Sequence, residues 1–158
     1  MPGGLSGMPV AARFHAAIRE MTMADYDDVT GLLARTGGVT FRGADSRAST
    51  ERYLQRNPEL SFVAHDGPRL IGCVMSGHDG RRGYLQHLVV VPGYRQRGVA
   101  TRLVDHCLGR LEALGIMKTH IDVLKGNEAG LRFWAARGWQ FRDDISRLSF
   151  VRGGDGNA

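Results

Sequence analysis

The chain has 158 residues, 42% of them hydrophobic and 23% charged, with a formal net charge of +5. That length and composition suit one soluble domain around one core, and no apolar run is long enough for a membrane-spanning helix. Two cysteines, Cys73 and Cys107, are too few for a disulfide framework or a zinc site. They read as small buried hydrophobes, so a reducing, cytoplasmic setting is expected. The start, Met-Pro-Gly-Gly-Leu-Ser-Gly, has neither the basic region nor the apolar stretch of a signal peptide. The surplus of positive charge favours anionic partners. The arginines are scattered rather than clustered with aromatics, which argues against nucleic acid.

Residues 1–11 are rich in Gly, Pro and small side chains and are expected to be disordered. Residues 13–20 read as a first strand. Thr22 or Asp25 can cap a helix continuing to Arg35, with Val29, Leu32 and Leu33 inward and Gly37-Gly38 as its stop. Residues 39–48 form a loop carrying Phe41, Arg42 and Asp45. A second helix covers 49–56 and ends at Asn57-Pro58. Residues 61–65 and 69–75 read as two strands joined by Asp66-Gly67-Pro68. His78-Asp79-Gly80-Arg81-Arg82-Gly83 is a polar hairpin tip, and 84–91 is the next strand.

Residues 98–114 are an amphipathic helix with Val99, Leu103, Val104, Cys107, Leu108, Leu111 and Leu114 on one face and Gly115 as stop. A strand over 118–124 follows. Asn127 caps a further helix that Gly138 ends, with Trp139 folding back. Residues 139–142 and 146–151 read as a closing hairpin, and 153–158 as a tail. No internal repeat or second domain is visible.

The most informative stretch is 88–101, Leu-Val-Val-Val-Pro-Gly-Tyr-Arg-Gln-Arg-Gly-Val-Ala-Thr. It reads as a buried strand, a Pro-Gly stop, a basic turn and a helix start. The first amides of a helix lack intrahelical partners and sit at the positive end of its dipole, which makes an anion site. Gly98 lets a phosphate approach the backbone, Ala100 keeps the next turn small, and Arg95 and Arg97 add charge. An ordinary strand-to-helix turn with solvated arginines is the alternative. The Gly-x4-Gly-Lys-Ser/Thr and Gly-x-Gly-x-x-Gly motifs are both absent, which excludes a P-loop and a dinucleotide fingerprint.

Arg95-x-x-Gly98-x-Ala100 after a Val-x-Pro strand end resembles the acetyl-CoA signature of the GNAT N-acetyltransferase superfamily. Asn127-Glu-Ala-Gly-Leu-Arg-Phe-Trp-Ala-Ala-Arg-Gly138-Trp139 resembles that family's second signature, which usually ends in Gly-Phe. The likeness extends over residues 12–152. It implies a mixed α/β fold: a mostly antiparallel sheet of about six or seven strands, splayed between the fourth and fifth, flanked by about four helices.

By resemblance, the backbones of Leu88, Val89 and Val90 would pair with the pantetheine arm of acetyl-CoA, with Val90 or a neighbour at the strand's bulge donating an N–H to the thioester oxygen. The turn of Arg95, Gln96, Arg97, Gly98, Val99, Ala100 and Thr101 would hold the diphosphate. Asn127 would meet the arm from the other side, with Phe133 and Trp134 lining its end; a plain helix cap is an equal role for Asn127.

The implied reaction is direct attack of a primary amine, on a small molecule, a peptide N-terminus or a protein lysine, on acetyl-CoA in a ternary complex. It needs no metal. The base candidates are Asp122, five residues before the capping Asn, and His87 on the preceding strand, with His120 a lesser one; His78 and Asp79 on the hairpin are candidates for substrate contact. Many members carry a tyrosine acid where this chain has Trp134, whose indole is a donor but not a practical acid; Tyr84 and Tyr94 are the available substitutes. A non-catalytic acyl-CoA-binding or regulatory protein is therefore the competing expectation. Dimers are common in the family, so a homodimer is allowed.

Overall fold

The structure, a computed structural model, describes residues 15–36, 41–154 and 156–158. The expectations for residues 1–14, the Gly37-Gly38 stop and residues 39–40 lie outside the described residues. The elements are β1 (Ala17–Glu20), α1 (Tyr26–Arg35), α2 (Arg47–Arg56), β2 (Phe62–Asp66), β3 (Arg69–His78), β4 (Gly83–Val90), α3 (Val99–Ala113), β5 (Thr119–Ile121) and α4 (Glu128–Ala136), with short 3-10 turns at Met23–Asp25, Gly43–Asp45, Pro92–Tyr94 and Arg152–Gly154.

The strands lie in chain order in one sheet. The β1/β2, β2/β3 and β3/β4 pairs are antiparallel, and β4/β5 is parallel, joined by the α3 crossover. Alternate side chains feed opposite faces. Phe62, Ala64, Ile71, Leu85 and Val90 pack against Val99, Leu103, Cys107 and Leu111 of α3. Val63, Cys73, Met75 and Val89 pack against Val29, Leu32 and Leu33 of α1. With helices on both faces, β3 is buried from Ile71 to Gly77. Cys73 and Cys107 are buried and free, and burial pushes both thiols up to about 12.

Several boundaries differ from expectation: β1 begins at Ala17 and β3 runs on to His78. The second helix begins at Arg47 because Ser46 caps it, accepting the Ser49 amide at 3.3 Å. β5 spans three residues instead of seven, which leaves Asp122 beyond the strand and outside its alternation. The closing hairpin over 139–142 and 146–151 forms no strand among the described residues, so the sheet has five strands rather than six or seven. Arg142 grips Asp144 at 2.7 and 2.9 Å, bending the segment on itself. A three-residue β5 also gives an added strand few ladder bonds to gain. Phe141, Leu148 and Phe150 stay largely exposed. The tail turns back instead of trailing: the Gly43 amide donates to the Asn157 carbonyl at 2.8 Å.

Candidate active site

The β4/β5 ladder pairs Gly83, Tyr84 and Leu85 with Thr119, His120 and Ile121 and then stops. From residue 86 to 90, β4 runs on without a strand partner on that side, so its backbone edge opens into the splay. On its other side β4 carries a bulge: Cys73 faces Val89 while Met75 faces Gln86, so β4 spends one extra residue. His87 sits in it at φ +55°, a left-handed conformation uncommon for a side-chain-bearing residue. The Val90 carbonyl accepts from Arg95 Nε at 3.2 Å.

The bulge turns His87 toward the α1/α2 side, where His87 Nε2 lies 2.6 Å from Asp45 Oδ1. The two side chains are only 14% and 16% exposed. The other Asp45 oxygen accepts the Arg42 amide at 2.7 Å, and the Asp45 carbonyl accepts from Tyr26 Oη at 2.8 Å. The sequence shows Asp45 only as a loop residue; its pairing with His87 across 42 positions carries no local signal.

Beyond β4, the Pro92–Tyr94 turn leads through Gln96 (φ +60°) to Gly98 (φ +79°), the N-cap of α3. The first helical bond runs from the Arg102 amide to the Gly98 carbonyl at 3.0 Å, and no side chain caps the end. The amides of Val99, Ala100 and Thr101 therefore have no intrahelical acceptor. A Cβ built on Gly98 meets nothing within 4 Å, so the space beside this helix start is open. Arg95, Gln96 and Arg97 are exposed around it, with the Arg97 guanidinium 5.5 Å from the Tyr94 ring centroid. The Val99 side chain is part of the core.

Opposite, Asn127 Oδ1 accepts the Gly130 amide at 2.9 Å, the expected cap. Trp134 is buried, 5.0 Å from Phe133 and 4.7 Å from Trp139 between ring centroids. Arg137, not anticipated, lashes α4 to the mouth of α3. Its guanidinium lies 3.5 Å over Phe133 and donates to the Phe133 carbonyl at 2.8 Å and to Thr101 Oγ1 at 2.9 Å.

The remaining candidates lie apart from the His87–Asp45 pair in the hydrogen-bond network. Asp122 is 70% exposed and ion-paired to Arg147 at 2.7 Å. Asp79 accepts the Arg81 and Arg82 amides at 2.8 Å each, which lowers its pKa and shapes the hairpin tip. His78 Nδ1 accepts the Gly80 amide at 3.0 Å in the same turn. Tyr84 donates to Asp79 at 3.3 Å and lies against His120. Tyr94 donates to Asp66 at 2.5 Å, and that bond raises the phenol's pKa. No cluster of metal-ligating side chains occurs among the described residues.

A splayed strand pair leading to an uncapped, glycine-fronted helix N-terminus is the arrangement that the two signatures implied. The chain belongs to the acetyltransferase (GNAT) family, whose profile matches residues 24–139. It is 32% identical over 128 residues to an acetyltransferase of Yersinia enterocolitica, covering 81% of this chain and 90% of that one. In fold it is similar to the PaiA N-acetyltransferase of Thermoplasma acidophilum in complex with coenzyme A (TM-score 0.73, 17% identity, covering 83% of this chain and 93% of that one). It is also similar to a predicted acetyltransferase of Clostridium acetobutylicum with acetyl-CoA (TM-score 0.66, 18% identity, 85% and 96% covered).

Proposed function

We propose that this protein is an acetyl-CoA-dependent N-acetyltransferase that acetylates a primary amine by direct attack in a ternary complex. The observation that carries this reading is the course of β4, which leaves β5 at Leu85 and runs with an open edge toward the free amides of α3. The residues fit the donor. Val99, Ala100 and Thr101 offer amides and a dipole to a diphosphate, Gly98 leaves room for it, and Gln96 and Arg97 flank it. Arg95 braces the Val90 carbonyl and adds charge. Leu88, Val89 and Val90 present backbone groups to an extended arm as an added strand. Asn127 meets that arm beside its capping role, and Phe133 and Trp134 wall its end.

His87 takes the proton from the acceptor. Deprotonating a lysine-like amine of reference pKa near 10.4 costs roughly 4–5 kcal/mol at pH 7, which a placed base offsets at the moment of attack. A backbone N–H at the bulge stabilises the oxygen that gains charge. Trp134 offers no acid, so solvent protonates the departing thiolate, a step worth only about 2 kcal/mol for a thiol of reference pKa near 8.5.

On the α1/α2 side His87 closes a narrow crevice walled by Tyr26, Val29, Leu33, Phe41, Leu54 and Met75. Among its described lining residues, Asp45 and His87 are the only ionisable groups besides the Tyr26 phenol, and they engage each other. The crevice holds only about 10 Å³, room for one water, so an acceptor group enters it only where the walls part; apolar walls then favour an amine borne on an apolar group over a polycation. The reducing cytoplasm, where the buried thiols stay free, is the compartment of this reading, and a homodimer is compatible with it.

The test is thiol release from acetyl-CoA with phenethylamine, peptides with apolar N-terminal residues, and spermidine. Turnover ranked in that order of apolarity supports the reading. Calorimetric binding of acetyl-CoA with no turnover on any amine supports the rival acyl-CoA-binding role, which the tryptophan at 134 favours.

A further inference from the structure

We infer that Asp45 is a positioning residue, whose carboxylate fixes the tautomer of His87 so that ring nitrogen Nδ1 takes the acceptor's proton. This rests on the proposed acetyl transfer and adds to it the residue that makes His87 competent.

An ionised carboxylate only accepts hydrogen bonds. At 2.6 Å from Asp45 Oδ1, His87 Nε2 carries a hydrogen, and whenever the ring is neutral the lone pair is then on Nδ1. A neutral histidine of the opposite tautomer would carry its proton on Nδ1 and have no lone pair there to act as base. Burial sets this pair apart from the exposed ion pairs: Asp27–Arg47 and Asp122–Arg147 have side chains 57–84% exposed, against 14% and 16% here. In that drier setting the bond is stronger and less exchanged with water.

The carboxylate is itself held. Oδ2 accepts the Arg42 amide at 2.7 Å, so it cannot rotate freely away from the ring. Tyr26 Oη holds the Asp45 carbonyl at 2.8 Å, with Thr50 Oγ1 at 3.4 Å behind it. The far end of the chain braces the same turn: Gly43 N donates to the Asn157 carbonyl at 2.8 Å, and an Arg42 guanidinium nitrogen to the Gly156 carbonyl at 3.2 Å. The ring is directed from its own side by the strained bulge at φ +55°. Two elements remote in sequence thus converge on one hydrogen bond, an arrangement that serves orientation.

The experiment reads the tautomer directly, with nitrogen-15 NMR of histidine-labelled full-length protein at a pH where imidazole is neutral. The wild type is expected to show His87 protonated at Nε2, and Asp45→Asn to lose that preference. With phenethylamine as acceptor, Asp45→Asn should lower kcat on the order of 10²-fold with acetyl-CoA affinity unchanged, and Asp45→Glu should recover part of the loss. A wild-type His87 protonated at Nδ1 overturns the inference, and needs no variant that must fold. So does an Asp45→Asn protein with wild-type tautomer and kcat while His87→Gln is inactive. If His87→Gln keeps wild-type kcat, the base assignment in the proposed function fails, and the inference with it.

Discussion

Gly98 separates the stability of α3 from its use as an anion site. At φ +79° and ψ 3° the backbone is left-handed, so any side chain strains it by roughly 1–2 kcal/mol, less for Asn or Asp. No protein atom lies within 4 Å of its missing Cβ, so substitution causes no clash inside the fold. An Asp there meets the positive end of the α3 dipole, and should stabilise the free protein by about 0.3–1 kcal/mol relative to Asn. The effect on CoA has the opposite sign. A carboxylate about 5 Å from a diphosphate of about two charges, in water-like dielectric, is repelled by roughly 1.7 kcal/mol, about a 15-fold loss.

Calorimetric titration of CoA into Gly98→Asn and Gly98→Asp, beside thermal melts, reads both terms. The Asp variant should melt at or above the Asn variant and bind CoA about 15 times more weakly. That gap should narrow at high salt, where the screening length shrinks. Asp and glycine forms binding CoA equally well would place the diphosphate elsewhere.

Asp25 links β1 to the first helix. The Arg19 guanidinium, at 2.6 and 2.8 Å, holds its carboxyl below the usual carboxylate range, aided by the Thr22 amide. The depressed folded-state pKa means the stabilisation is complete above the unfolded value near 3.9 and is lost as pH falls through the folded value. Asp25→Asn should therefore cost about 1–2 kcal/mol at neutral pH, discounted for the half-exposed Arg19, and less as pH falls below the unfolded value. A denaturation difference that is constant with pH would contradict this origin.

Gly83→Ala places a Cβ 2.6 Å from Thr119 Oγ1 and 2.9 Å from Leu111 Cδ1, at the first rung of β4/β5. It should cost about 1–3 kcal/mol in denaturation, part of it regained with Thr119→Ala. Asp122→Asn should leave turnover within about twofold, given its exposed pairing with Arg147. A large loss with a flattened pH profile would move the base to Asp122.

Features built from local periodicity were legible in advance. The inward face of α3 follows helical spacing through Val99, Leu103, Val104, Cys107 and Leu111, although Leu114, at the helix end, turns out exposed. The splay after Leu85 and the glycine front of α3 match what the two signatures implied. The His87–Asp45 and Arg137–Thr101 contacts join residues 42 and 36 positions apart, set by tertiary packing that no window of sequence contains. The resemblance implied a bulge in this strand but not that His87 sits in it, because a histidine at positive φ has no compositional mark, whereas Gly98 does. Residues 146–151 alternate like a strand, but alternation does not decide whether a partner edge is long enough to hold one.

Crystallisation with acetyl-CoA tests the donor site most directly. The expected complex has diphosphate oxygens within hydrogen-bonding distance of the amides of Val99, Ala100 and Thr101. Its pantetheine arm pairs with the open edge of residues 88–90, and its acetyl group ends beside His87. An ordered acetyl-CoA bound away from the β4/β5 splay, with the α3 amides left to solvent, would contradict it.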